Sequence, residues 1–223
     1  MSLWIKICGN TSLADAQLAV NAGADAVGFV FAPSPRRVTR DQIAAITPQL
    51  PASVGKIGVF VDTDFPEISA AVVQCGLTGV QIHSGSHADL PARLRHHFGP
   101  GLRILQVLHF GEDTAVQLQK ASSDPSIDAA LIDSRTATAV GGTGIAFDWQ
   151  AARATLFSGE SKLNLIVAGG LTPANVAEAI ATLNPWGVDV VSGVESSPGK
   201  KDPVKIRAFV ANARESDKPA ERT

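Results

Sequence analysis

Tyrosine is absent from this sequence, which removes one class of proton donor from any chemistry the chain performs. Cysteine occurs only twice, at Cys8 and Cys75, with no Cys-x-x-Cys pair, so a disulfide framework is not expected. No apolar run approaches the roughly 20 residues of a membrane-spanning helix. The opening residues, MSLWIKICGN, lack the long apolar stretch of a signal peptide, so a cytoplasmic protein is expected. Basic residues are not in excess either. A formal net charge of −2 and a pI of about 6.2 leave no basic stripe for nucleic acid. What the chain does have is apolar content: 45% of 223 residues, enough for one sizeable core.

That apolar content is arranged with two periods. Short β-branched runs stand at Trp4–Cys8, Ala26–Phe31, Lys56–Val61, Gly79–His83, Arg103–Leu108, Ala129–Asp133, Leu165–Ala168 and Val188–Val191. Their flanks carry Gly, Pro, Asp and Ser. Between them lie helical patterns, such as Leu13, Ala16, Ala19 and Ala22 after Thr11-Ser12, and Ile68, Ala71, Val72 and Cys75 after Pro66. Strict alternation of eight runs with eight helices implies an α/β fold: one (βα)8 barrel, or TIM barrel, with a parallel sheet and outer helices. The domain is expected over residues 1–214. Glu215 to Thr223 (ESDKPAERT) reads as a disordered polar tail.

In such a barrel the C-terminal strand ends share the active-site rim. Cys75 ends a helix and so belongs at the opposite rim, beyond disulfide reach of Cys8. Cys8, before Gly9, is either a buried inert thiol or a reactive one. Asp133 directly follows a buried apolar run. It is either a loop cap paired with Arg135 or a functional carboxylate, because burying a charge without a reason is costly. Arg36 and Arg37 are either a solvated pair or a guanidinium fork for a substrate carboxylate. Gly141-Gly142-Thr143-Gly144 is a weak signal alone, but its N–H groups at Gly142 and Gly144 can add to an anion site.

The stretch from Leu163 to Asp202 is the most informative. Two consecutive runs end in glycine turns, Gly169-Gly170-Leu171-Thr172 and Ser192-Gly193. Such turns let backbone N–H groups approach an anion. Paired at the end of a βα chain, they read as a phosphate cradle built on Gly169, Gly170, Ser192 and Gly193. Thr172 is expected to cap the following helix, with Pro173 at its first position.

The ordered motifs then carry a resemblance. Lys6-Ile7-Cys8-Gly9, Gly28-Phe29-Val30-Phe31, Ser34-Pro35-Arg36, Gln81-Ile82-His83, Asp133, Gly141-Gly142-Thr143-Gly144, Ala168-Gly169-Gly170-Leu171, Asp189 and Ser192-Gly193-Val194-Glu195 strongly resemble the phosphoribosylanthranilate isomerase family of tryptophan biosynthesis. The match runs from about Ile5 to Phe209. It implies an Amadori rearrangement of N-(5'-phosphoribosyl)anthranilate to 1-(2-carboxyphenylamino)-1-deoxyribulose 5-phosphate, with no cofactor and no metal. By resemblance Cys8 is the general base, Asp133 the general acid, and Arg36, rather than Arg37, faces the anthranilate carboxylate. His83 and Asp189 are carried over as substrate-binding residues. The partner implied is this small molecule, with a monomer or homodimer as the assembly. Ser84, Gln106 and Val191 depart from the family pattern. Lys6 is expected to point away from Cys8, so the tuning of proton affinities is expected on Asp133. Two other readings stay open: a metal-dependent sugar-phosphate epimerase using His83, His109 and Asp62, and a phosphate-binding barrel without turnover.

Overall fold

Alternating inward and outward side chains on eight short strands build a closed parallel barrel in the computed structural model, which describes residues 2–83, 88–133, 148–157 and 162–217. The strands are β1 (Trp4–Ile7), β2 (Ala26–Val30), β3 (Gly55–Phe60), β4 (Gly79–His83), β5 (Arg103–His109), β6 (Ala129–Asp133), β7 (Asn164–Ala168) and β8 (Gly187–Val190). They pair in sequence order, and β1 closes on β8 with Trp4 opposite Gly187 and Lys6 opposite Asp189. The helices are α1 (Leu13–Asn21), α2 (Arg40–Ile46), α3 (Phe65–Cys75), α4 (Leu90–Phe98), α5 (Thr114–Ser122), α6 (Trp149–Thr155), α7 (Val176–Leu183) and α8 (Pro203–Ser216). The expected (βα)8 architecture is therefore the observed one.

The period of two sorts each strand. Trp4, Ala26, Ile57, Leu105, Val107, Ala129, Leu131, Ile166 and Ala168 fill the barrel's inside as one apolar cluster. Their neighbours in sequence, among them Ile5, Ile7, Phe29 and Ile104, turn outward and pack with Ala16, Ile43, Ile68, Leu94 and Ile206 of the helices. Each fully buried Leu or Ile contributes about 1.5–3 kcal/mol. That apolar floor offsets what the layer above it costs, for Lys6, Gln81 and Asp189 are all buried there.

Caps place the helices. Ser12 accepts the Asp15 N–H at 3.1 Å to start α1, and Asp202 accepts the Val204 and Lys205 N–H groups, with Pro203 after it, to start α8. The first turn of α7 departs from expectation. Asn175, not Thr172, occupies its N-cap position. The Asn175 side chain takes the Thr172 N–H at 2.7 Å and donates to the Gly170 carbonyl at 3.0 Å, which holds Thr172-Pro173 in a turn ahead of the helix.

Two further differences concern the C-terminal end. The segment after β8 is not a plain connection: Glu195–Ser197 (β9) and Lys200–Lys201 (β10) form an antiparallel hairpin. Helix α8 continues to Ser216, and the Asp217 carboxylate accepts the Leu3 N–H at 2.8 Å. The chain is thus anchored past residue 214, and only 218–223 of the expected tail lie outside the described residues. Cys75 closes α3, away from the strand ends that carry the site, and both cysteines are free and buried.

Candidate active site

Cys8 follows β1 directly, with its N–H bonded to the Val190 carbonyl at 2.9 Å. It keeps the parity of Trp4 and Lys6, so it faces the barrel's inside. Gly28 makes the room: a Cβ added there would lie 2.5 Å from the Cys8 Sγ and 3.0 Å from the Lys6 Cε. This overturns the expectation that Lys6 points away. Residues i and i+2 of a strand share a face, so the ammonium and the thiol sit on one surface. Lys6 is fully buried, and its Nζ donates to Gln81 Oε1 at 2.7 Å and to Asp189 Oδ1 at 3.0 Å. Asp189, expected to bind substrate, is therefore placed one layer below the rim, with one oxygen held by Lys6. Breaking such a buried pair typically costs about 3–5 kcal/mol, which is the measure of how firmly it is held.

A second buried network lies beside Cys8. Arg36 is not part of a solvated pair, although Arg37 is exposed. Its Nε and Nη2 donate to the two oxygens of Glu195 at 2.8 and 2.7 Å, a bidentate fork. Among the described residues no hydrogen bond uses Arg36 Nη1, so that edge remains for a ligand anion. Lys201, from β10, donates to the Cys8 carbonyl at 2.5 Å, the Val191 carbonyl at 3.1 Å and Glu195 Oε1 at 3.3 Å. It thereby ties the ends of the two strands that close the barrel. Burial favours the neutral form of Glu195, but hydrogen bonds from Arg36 and charge from Arg36 and Lys201 outweigh it and hold its carboxyl below the ordinary value. Burial pushes the Cys8 thiol up; Lys6 and Lys201 pull it back, Asp189 adds to the rise, and the thiol stays above its ordinary value.

Across the rim, Asp133 ends β6 and is buried. Ala129 and Leu131, of the same parity, belong to the inner cluster, so Asp133 faces the barrel interior. Its carbonyl accepts the Phe110 N–H at 2.9 Å, and His109 stands opposite it in register. The rings of His109 and His83 lie 5.6 Å apart. The described rim thus has two sides: cations around Cys8, and a carboxylate with two imidazoles around Asp133. Among the described residues no three His, Cys, Asp or Glu side chains are grouped as metal ligands, so Asp62 does not join the histidines.

The two glycine turns meet. Gly169 and Gly170 follow β7 with φ of 81° and 66°. Ser192 and Gly193 follow β8 in a single 3-10 turn. A Cβ on Gly193 would stand 1.9 Å from the Leu171 carbonyl oxygen, so the backbones of the two turns pack directly on each other. Gly142 and Gly144 lie outside the described residues, as do Arg135 and Ser84.

A sequence-family model described as N-(5'phosphoribosyl)anthranilate (PRA) isomerase matches residues 5–212. The chain belongs to the phosphoribosylanthranilate isomerase family. An N-(5'-phosphoribosyl)anthranilate isomerase from Pelobacter propionicus is 41% identical, over 95% of this chain and 96% of that one. The phosphoribosyl anthranilate isomerase structure from Thermotoga maritima superposes with a TM-score of 0.81 at 33% identity, covering 96% of this chain and 99% of that one. A second structure of the family, in complex with reduced 1-(o-carboxyphenylamino)-1-deoxyribulose 5-phosphate, gives 0.80 at 32%, with the same coverage.

Within this isomerase frame, sequence reasoning missed Lys6, Glu195 and Lys201. Lys6 had a signal, a lysine inside an apolar strand two residues before the cysteine. Glu195 had only its place in the Ser192-Gly193-Val194-Glu195 motif and Lys201 had no signal, because their partners Arg36 and Cys8 are more than 150 residues away in the chain. Of the departures from the family pattern, Gln106 shares the parity of the outward-facing Ile104 and Leu108 and so faces away from the barrel interior.

Proposed function

We propose that this chain is a cytoplasmic isomerase of tryptophan biosynthesis that converts N-(5'-phosphoribosyl)anthranilate to 1-(2-carboxyphenylamino)-1-deoxyribulose 5-phosphate. The observation that carries the reading is one chain, matched by the family from residue 5 to 212, with Cys8 and Asp133 both turned inward at the same barrel rim. Asp133 gives its proton to the furanose ring oxygen, and the ring opens to a protonated imine. The imine raises the acidity of the C2' proton, which Cys8 takes as thiolate. The resulting enolamine tautomerises to the ketone, and the proton returns to Asp133 over the cycle. General acid and general base each typically contribute about 10²–10⁴-fold.

Substrate is held at its two charged ends. The Gly169-Gly170 and Ser192-Gly193 turns offer backbone N–H groups to the phosphate, with Gly142 and Gly144 as further donors. Arg36, already fixed on one edge by Glu195, offers Nη1 to the anthranilate carboxylate. His83 lines the Asp133 side of the rim. The test is to incubate the purified chain with N-(5'-phosphoribosyl)anthranilate and follow loss of substrate and formation of the ribulose phosphate. Substrate left unconverted overturns the reading.

Arg36 supports a sharper expectation. Its clamp acts in the ground and transition states alike, so Arg36→Met raises KM and leaves kcat within a few-fold. One charge-assisted hydrogen bond contributes about 1.5–3 kcal/mol, so KM rises by roughly 10- to 100-fold. Steady-state kinetics checks this, and a fall confined to kcat removes Arg36 from the carboxylate site.

A further inference from the structure

The geometry points to Lys6 as the counter-ion of the Cys8 thiolate: a positioning residue that stabilises the charged base from beneath without touching substrate. An ammonium has three donors. Two are used, on Gln81 and Asp189. The Lys6 Cε and the Cys8 Sγ border the same space over Gly28, and Lys6 acts on the thiol, which leaves the third donor for the sulfur. Lys201 is the other cation near Cys8, but its three donors go to the carbonyls of Cys8 and Val191 and to Glu195. It fixes the strand end, and Lys6 is left to meet the sulfur.

The charge on Lys6 is secure. Burial opposes it, but Asp189 and then Cys8 outweigh burial, and the ammonium is held above its ordinary value. Asp189 therefore has two effects. It keeps Lys6 protonated, and it competes with Cys8 for the same charge. The charged groups that act on the thiol are Lys6 from β1, Asp189 from β8, Lys201 from β10 and Arg36 from the loop after β2. Of these, Lys6 and Asp189 form one pair, and removing either member should move Cys8 in opposite directions.

The inference rests on reading Cys8 as the base, but it is tested on the thiol's own titration. Turnover is not needed, so either can fail without the other. Thiolate absorbance at 240 nm is followed against pH in the whole protein, with Cys8→Ser as the blank that also subtracts Cys75. In Lys6→Met the Cys8 midpoint rises by about one to three pH units, and in Asp189→Asn it falls by about one. A purely structural role for the pair does not produce shifts of opposite sign. If Lys6→Met does not fold, as its near-ultraviolet dichroism will show, Asp189→Asn decides alone, since it keeps the Lys6 side chain, whose ammonium Cys8 also favours. A midpoint that stays or rises in Asp189→Asn overturns the inference, as does a parental midpoint in folded Lys6→Met.

Discussion

Asp133→Asn lowers kcat by about 10²–10⁴-fold and changes KM little. The substitution keeps the size and the hydrogen-bonding reach of the side chain at the end of β6. It removes the acidic proton. Ring opening then expels an alkoxide with only a carboxamide beside it, and that loss is felt in the transition state alone. The residue is buried on the inner face, opposite His109 in register, so an isosteric change leaves the packing of β5 and β6 as it is. Stopped assays at saturating substrate give the result directly. Near-parental turnover in a folded Asp133→Asn protein takes Asp133 out of the mechanism.

Gly193→Ala is the most damaging substitution expected in the phosphate turns. Its constraint is space. The added methyl would sit 1.9 Å from the Leu171 carbonyl oxygen and 2.9 Å from the Leu171 carbonyl carbon. Backbone cannot rotate away as a side chain does, so one turn must move off the other. Overpacking of this kind costs up to about 3 kcal/mol, which in a chain of this size lowers Tm by about 6–12 °C. The displaced turns also lose their shared grip on phosphate, so KM rises by roughly 10- to 100-fold for each charge-assisted hydrogen bond forfeited. Calorimetry and kinetics on the same preparation check both. An unchanged Tm would mean that the turns do not pack as described, and an unchanged KM would mean that they do not hold the phosphate.

The barrel was legible because its signal is local. Each strand is a short β-branched run, each helix repeats with its own period, and eight alternations leave little choice of closure. The rim was legible for the same reason: Cys8 and Asp133 end runs whose inward parity can be counted. Boundaries failed where a side chain competes with the backbone, as Asn175 does ahead of α7. The buried ion network was read poorly for two different causes. Lys6 was within reach of the period-two rule, which puts residues 6 and 8 on one face, but Cys8 was placed only by its position at the strand end. The Arg36–Glu195–Lys201 cluster joins the loop after β2 to a hairpin after β8, and no spacing in the sequence encodes that meeting.

The most direct measurement compares the chain with its Cys8→Ala variant on N-(5'-phosphoribosyl)anthranilate, with binding of reduced 1-(o-carboxyphenylamino)-1-deoxyribulose 5-phosphate measured in parallel. The parent converts the substrate. The variant, with no group to take the C2' proton, is slower by about 10²–10⁴-fold while still binding the reduced compound. A parent that leaves the substrate unchanged, or a variant that turns it over at the parental rate, contradicts the assignment of this rim as the isomerase site with Cys8 as its base.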